Sequence, residues 1–273
     1  MTFSSKILLV GGGKMGSALL RGWISKGVKT EDIYVVDTSE EVAAELMDDL
    51  SVRVVASHKT IDPKFLPDIV VFAVKPQELN IIIGEYKYLG ALGAVILSIA
   101  AGKTISFFEK HFGKETPIIR TMPNTPASIG RGITAACPNQ HVTKDQRNDC
   151  ETLLQSIGEI VWISDESHID AVTAVSGSGP AYVFLLIECI TAAGTMNGLP
   201  YNIAEKLALS TVAGSGELAL LSKKSSEILR REVTSTGGTT AAALDILMDE
   251  KGLKYLMCQA IEAATKRSRE LAD

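Results

Sequence analysis

Seven residues, Thr234 to Thr240 (TSTGGTT), gather five hydroxyl groups around two glycines directly ahead of a stretch with helical spacing. Serine and threonine oxygens cap a first helical turn, and glycines let backbone N–H groups approach a ligand closely. The start of a helix is electropositive, so the segment has the chemistry of a small-anion site. A second glycine cluster lies near the other end of the chain. ILLVGGGKMGSALL places Gly11, Gly13 and Gly16 in GxGxxG spacing between an apolar run and a helical pattern. The first glycine permits a tight turn, the second lets a pyrophosphate reach the backbone, and the third lets the helix pack closely. Asp37 closes the next apolar run about twenty residues on, where a carboxylate accepts hydrogen bonds from a ribose 2′-hydroxyl and repels a 2′-phosphate. The predicted cofactor set here is Gly11, Gly13, Lys14, Met15, Gly16, Asp37 and Thr38. It favours NADH, although Thr38, Ser39 and Lys59 could still hold the phosphate of NADPH if the carboxylate turned aside.

These residues need a framework. Apolar runs at Lys6–Val10 and Ile33–Val36, separated by helical spacing over Met15–Lys26, predict a βαβ unit, and Ser39 is placed to cap a helix running to about Leu50. Further strands are predicted at Ile69–Val74, Val95–Ile99 and Pro117–Thr121, apolar on both faces as in a parallel sheet covered by helices. After Thr143 one more strand, near Ile160–Ile163, precedes a helical remainder: 169–175, 181–197, 203–222, 226–233, 240–249 and 253–271. The expected architecture is an α/β Rossmann-type N-terminal domain, residues 1–165, followed by an all-helical C-terminal domain for dimerisation and substrate binding, residues 166–273.

Composition narrows the function. With 273 residues, 46% hydrophobic, the chain can bury a large core. A net charge of −5 argues against nucleic acid, whose binding relies on clustered Lys and Arg, and for a small-molecule substrate. Cys137, Cys150, Cys189 and Cys258 are widely separated and form no CxxC pair, so neither zinc nor disulfides are expected, no metal site is assigned, and a reducing, cytoplasmic setting fits. The N-terminus has no secretory h-region, and the greasiest run, Tyr182–Met196, is read as a buried helix rather than a membrane span. AYVFLLIECITAAG and IAEKLALSTVAGSGELALL are apolar around most of their circumference, which points to burial against a second copy of the chain, with burial of a helix against the first domain as the alternative.

Other motifs fall at the carboxyl ends of the predicted strands, where ligands of open α/β sheets bind. AVKP ends at Pro76, and SIAAG ends at Gly102. In RTMPNTPASIG, Asn124 and Thr125 could meet a nicotinamide or satisfy the backbone of their own turn. In SGSGPAY, Pro180 starts a helix that Ser176 or Ser178 could cap. His58, His111, His141 and His168 fall in helix ends or polar loops and read as surface residues. Glu188, in an otherwise apolar helix, reads as a brace of a helical dimer, with a place near the substrate amine as the alternative.

AVKP, SIAAG, MPNTPA, DAVTAVSGSGPAYVF and STGGTT, in this order over essentially the whole chain, resemble pyrroline-5-carboxylate reductase. That family reduces the cyclic imine 1-pyrroline-5-carboxylate to L-proline with NADH or NADPH, the final step of proline biosynthesis. The resemblance implies a helical domain that interlocks into a homodimer and often assembles into a ring of dimers. It makes Ser235, Gly238 and Thr239 the site of the substrate carboxylate, and Thr240 the hydroxyl near the imine nitrogen and the catalytic residue. Val74, Lys75, Pro76, Ala100, Ala101 and Gly102 would line the nicotinamide nucleotide. One position departs from the family pattern: Thr236 stands where a proline usually precedes the two glycines, which loosens the turn but leaves its amides.

Two other readings compete. A 3-hydroxyacid dehydrogenase of similar build needs a general base, commonly Lys, on an early helix of its second domain, and Ala181–Met196 contains none. A dinucleotide sensor without turnover would not need the Ser235–Thr240 turn. If Asp37 disfavours the 2′-phosphate, Asp37→Ser should improve NADPH relative to NADH in steady-state kcat/KM, and an unmoved ratio would remove Asp37 from the specificity argument.

Overall fold

The computed structural model describes residues 4–272. Its strands are β1 (Ile7–Val10), β2 (Ile33–Val36), β3 (Arg53–Val55), β4 (Ile69–Phe72), β5 (Val95–Ser98), β6 (Ile118–Met122), β7 (Gly132–Pro138) and β8 (Gly158–Trp162). They form one sheet in the order β3-β2-β1-β4-β5-β6-β7-β8, parallel throughout except where β7 runs antiparallel to β6. The helices are α1 (Lys14–Ser25), α2 (Glu40–Leu50), α3 (Pro76–Ile82), α4 (Tyr88–Ala91), α5 (Ile105–Phe112), α6 (Lys144–Leu154), α7 (Ile169–Val172), α8 (Gly179–Met196), α9 (Tyr201–Leu221), α10 (Ser226–Glu232), α11 (Thr239–Leu247) and α12 (Leu253–Leu271).

Side-chain alternation along the strands supplies two cores, one on each face of the sheet. Ile7 and Leu9 point to one face and join Leu19, Leu20 and Trp23 of α1, Leu46 of α2 and Leu153 of α6. Leu8 and Val10 point to the other and join Leu79 of α3 with Phe108 and Phe112 of α5. The indole N–H of Trp23, itself buried, donates to the Leu153 carbonyl at 3.1 Å, so the largest side chain in that core carries no unpaired polar atom. α2 starts where Ser39 was expected to cap it: the serine hydroxyl accepts from the Val42 N–H.

The structure separates into two compact units. One runs from the N-terminal side to Gly177 and also takes in the chain from Thr265 onward; the other is Ser178–Ala264. The first unit contains the whole sheet. The last turns of α12 belong to it, where the buried Ser268 hydroxyl donates to Asp170 Oδ1 at 2.7 Å. There Gly102, at φ +76°, has no room for a side chain: a Cβ would lie 2.7 Å from the Leu271 carbonyl oxygen.

In the second unit α8 and α9 pack against each other along their length. Their remaining faces are open. Phe184, Leu185, Leu207, Leu209, Leu218 and Leu221 are each more than half exposed in the single chain. The expected burial of Tyr182–Met196 therefore does not occur within one copy, because α9 covers only one side of α8. By length and composition alone, the continuous helical stretch Glu166–Met196, 31 residues, is sufficient to cross a membrane. Glu188 is exposed.

Two local expectations need correction. The helix predicted over 169–175 changes to a wider π turn at Thr173–Gly177, where Ser176 turns its hydroxyl back to the Val172 carbonyl at 3.0 Å. Ser178 stands at the N-cap of α8 without a side-chain hydrogen bond, so neither serine caps that helix. Gly177 is required here by close approach: a Cβ would meet Met122 Cε at 2.6 Å.

α1 and the turn before it approach too closely for any side chain between them, since a Cβ on Gly16 would overlap the Gly11 carbonyl oxygen. Gly16→Ala must push the first turn of α1 away, at about 1–3 kcal/mol. Thermal unfolding should shift down by about 3–10 °C, with NADH affinity at least about tenfold weaker because the helix start is displaced from the phosphates.

Candidate active site

β1 ends at the glycine turn. Gly11, at φ +100°, has a conformation few other residues adopt, and its N–H donates to the Val36 carbonyl at 2.9 Å. A Cβ there would also lie 2.8 Å from the Ala73 backbone and from Val74 Cγ1. The turn is thus clamped between the ends of β2 and β4. Gly13 is the N-cap of α1 and makes no side-chain cap, and the first turn of that helix carries no acidic residue. Its amides and its positive end are left for a phosphate group. Lys14 and Met15 open the helix, Lys14 exposed and Met15 packed against the core.

Asp37 is set by backbone. Its Oδ2 accepts from the Gly12 N–H at 2.7 Å and its Oδ1 from the Ser39 N–H at 2.9 Å. The carboxylate that was expected to face a ribose therefore also holds the glycine turn in place. Beyond it opens a cleft of about 370 Å³ lined by Val10, Val36, Asp37, Thr38, His58 and Val74, with Glu78, Ile81, Glu85 and Tyr86 on the α3 side. Its apolar walls and acidic rim suit a flat heterocycle attached to a hydroxylated sugar.

His58 belongs to this cleft and is not a surface residue. Its side chain is 9% exposed, its ring packs 4.8 Å from that of Tyr86, and Nδ1 lies 3.4 Å from Glu85 Oε2. Sequence spacing alone could not pair His58 with Glu85, because β4 and α3 intervene. Burial pushes the Tyr86 hydroxyl far above its ordinary range, Glu85 and then Tyr88 adding to the effect, so the group stays neutral.

The remaining predicted cofactor residues lie at the carboxyl ends of β4 and β5. Val74 lines the cleft, Lys75 is the exposed N-cap of α3, and Pro76 opens that helix where its missing N–H costs nothing. Ala100, Ala101 and Gly102 form the turn after β5, with the Ala100 N–H donating to Ser98 Oγ at 3.2 Å. Asn124 satisfies its own loop: its Oδ1 accepts from the Ile133 N–H at 2.9 Å.

A charged clamp absent from the sequence reading ties these loops together. Arg120, only 5% exposed on β6, donates to Glu166 Oε1 at 2.7 Å, and the same oxygen accepts from the Ile105 N–H at the start of α5. One carboxylate thus holds the strand leading to Asn124 and the helix that follows Gly102.

The second unit carries the residues expected at the substrate in one turn. Gly237, at φ +70°, and Gly238 lead into α11, whose N-cap is Gly238 with no side-chain cap. The Gly238 N–H donates to the Ser235 carbonyl at 3.1 Å, closing the turn, and Ser235 Oγ lies so near the Gly238 α-carbon that a Cβ would overlap it. Thr234 donates its hydroxyl to the Arg230 carbonyl at 2.6 Å and does not cap α11. Thr239 and Thr240 form the first turn of α11. The groups that could donate to an anion here are the Ser235 hydroxyl and the first-turn amides of α11, and Gly238 shapes the turn. Among the described residues no cluster of His, Cys, Asp and Glu could hold a metal.

A family model for pyrroline-5-carboxylate reductase dimerisation matches residues 166–271, and one described as NADP oxidoreductase, coenzyme F420-dependent, matches 6–102. The pyrroline-5-carboxylate reductase of Pseudomonas aeruginosa is 37% identical over 98% of this chain and 97% of its own. The chain belongs to the pyrroline-5-carboxylate reductase family. Among other relatives, the reductase of Pisum sativum is 35% identical over 96% of this chain and 94% of its own. The solved reductase of Coxiella burnetii superposes with a TM-score of 0.92 at 35% identity, over 98% of this chain and 99% of its own. That of Plasmodium falciparum, solved with NADP bound, gives 0.84 at 30% identity over the full length of both.

The Arg120–Glu166 clamp makes its own prediction. Arg120→Met leaves the Glu166 carboxylate with one partner fewer and should cost about 3 kcal/mol in denaturant unfolding. Replacing both, Arg120→Met with Glu166→Leu, should recover part of that loss. A double variant less stable than the single would show that the pair is not the source of the effect.

Proposed function

We propose that this reductase takes up 1-pyrroline-5-carboxylate at the Ser235–Thr240 turn and reduces its C=N bond with NAD(P)H held by the sheet unit, giving L-proline. The observation that carries the reading is the uncapped start of α11 behind the Gly237–Gly238 turn, an anion site built for a carboxylate. The dinucleotide fits the residues present: a cradle at Gly11 and Gly16 that a Cβ would fill, an uncapped α1, and the cleft beside Asp37. Gly11, Gly13, Lys14, Met15 and Gly16 would hold its pyrophosphate, Asp37 and Thr38 a ribose, and Val74, Lys75, Pro76, Ala100, Ala101 and Gly102 the nicotinamide end. Bound there, the reduced cofactor supplies hydride.

The chain's own part is largely orientation. The Ser235 hydroxyl and the amides of Thr239 and Thr240 fix the carboxylate, and with it the face of the imine. Thr240 sits at the ring nitrogen and exchanges hydrogen bonds with it as C=N becomes CH–NH. A threonine hydroxyl is too weakly acidic to be a proton reservoir, so the nitrogen arrives protonated or takes its proton from water. A hydroxyacid substrate would need a general base, and α8 supplies no lysine.

We further infer that the functional domains divide at 165/166, which the start of the dimerisation match supports. The open faces of α8 and α9 would be covered by a second copy of the chain rather than lipid, giving a homodimer and, as the family resemblance implies, a ring of dimers. Four free cysteines support a cytoplasmic location.

NADH absorbance should fall on adding pyrroline-5-carboxylate, with proline as product, and no NADH should form from NAD+ with hydroxyacids. Thr240→Ala should lower kcat about tenfold or more with little change in NADH affinity; an unchanged kcat would remove Thr240 from the reaction.

A further inference from the structure

The lining of the cleft beside Asp37 contains three carboxylates, Asp37, Glu78 and Glu85, and neither lysine nor arginine. Asp37 is not free to turn aside, because doing so would break its bonds to both the Gly12 and Ser39 amides. Ser39 is committed as well, its N–H to Asp37 and its hydroxyl to the Val42 N–H. The one lining side chain able to take up positive charge is His58, and Glu85 stands 3.4 Å from its Nδ1, so any charge gained there is met at once. Tyr86 contributes a neutral hydroxyl, and Lys59, exposed on the turn that follows β3, lies outside the lining.

We propose that this cleft is built to accept NADH and to reject NADPH, with Glu78 and Glu85 acting beside Asp37 as specificity-determining residues. The inference rests on the reductase reading for the class of cofactor and extends it to a preference within that class. A 2′-phosphate would bring about two negative charges into a space whose fixed charges have the same sign and whose single imidazole is already paired. Each carboxylate opposes it by a Coulomb term that water weakens without cancelling. A ribose 2′-hydroxyl meets the opposite situation. Each Asp37 oxygen, after accepting one amide, keeps acceptor capacity for a hydroxyl donor.

The test is titration of the full-length protein with NADH and with NADPH in the absence of substrate, read by tryptophan quenching or calorimetry at low and high salt. The wild type should bind NADH about tenfold or more tightly than NADPH at low salt, and the gap should narrow as salt screens the carboxylates. Glu78→Gln with Glu85→Gln, both exposed positions, should narrow the gap about threefold to fivefold. Asp37→Ser should narrow it further while weakening both cofactors, because the glycine turn loses its brace. NADPH bound as tightly as NADH by the wild type, or a gap unmoved in the Glu78/Glu85 double variant, would overturn the proposal. The titrations contain no pyrroline-5-carboxylate, so a failure of turnover strikes the reaction proposed above and not this preference.

Discussion

The bond from the Gly12 amide to the Asp37 carboxylate is the constraint on which the sheet unit's chemistry depends. It joins the end of β2 to the turn that β1 feeds, and that turn decides where α1 begins. On its other side the turn is pressed against Ala73 and Val74, so three adjacent strands fix one short piece of backbone. The same carboxylate contributes charge to the cleft. One side chain therefore both holds the turn and puts a negative charge in the cleft, and a substitution there changes both.

The helical unit uses the opposite device. Where the glycine turn of the sheet unit is held by many neighbours, the Ser235–Thr240 segment is held mainly by itself: Gly238 closes on Ser235, and Thr234 ties back to α10. Such a segment offers donors without a costly charge. Amides and a hydroxyl suffice for a carboxylate, and a protonated imine needs no strong acid beside it. The absence of histidine from every one of these motifs is then chemically reasonable. His58, its side chain 9% exposed, lines the cleft beside Asp37.

Much of this was legible in the residue order. The GxGxxG spacing, Ser39 as a cap and the all-apolar runs of β1, β2, β4 and β5 depend on local pattern, and the structure places them within a residue or two. β3 and β7 were not foreseen. The first is three residues at an edge, and the second, GITAACP, is made of small and half-polar residues whose strand character comes from pairing with β6 and β8. The pairs Arg120–Glu166 and His58–Glu85 were invisible for a related reason: separations of 46 and 27 residues carry no periodic signal, and only folding makes them neighbours. Ser176 misled because its hydroxyl is taken by the π turn, and Ser178 because it reaches the N-cap position of α8 in helical conformation without using its side chain.

The open faces of α8 and α9 have a consequence for how firmly the chain stays folded. If a second protomer covers these leucines and the phenylalanine, as proposed above, they contribute to folding when that protomer is present and weakly when it is absent. Mass action then enters the unfolding equilibrium. Diluting the protein below its self-association constant withdraws that contribution, so its melting point becomes a property of the sample's concentration as well as of its sequence.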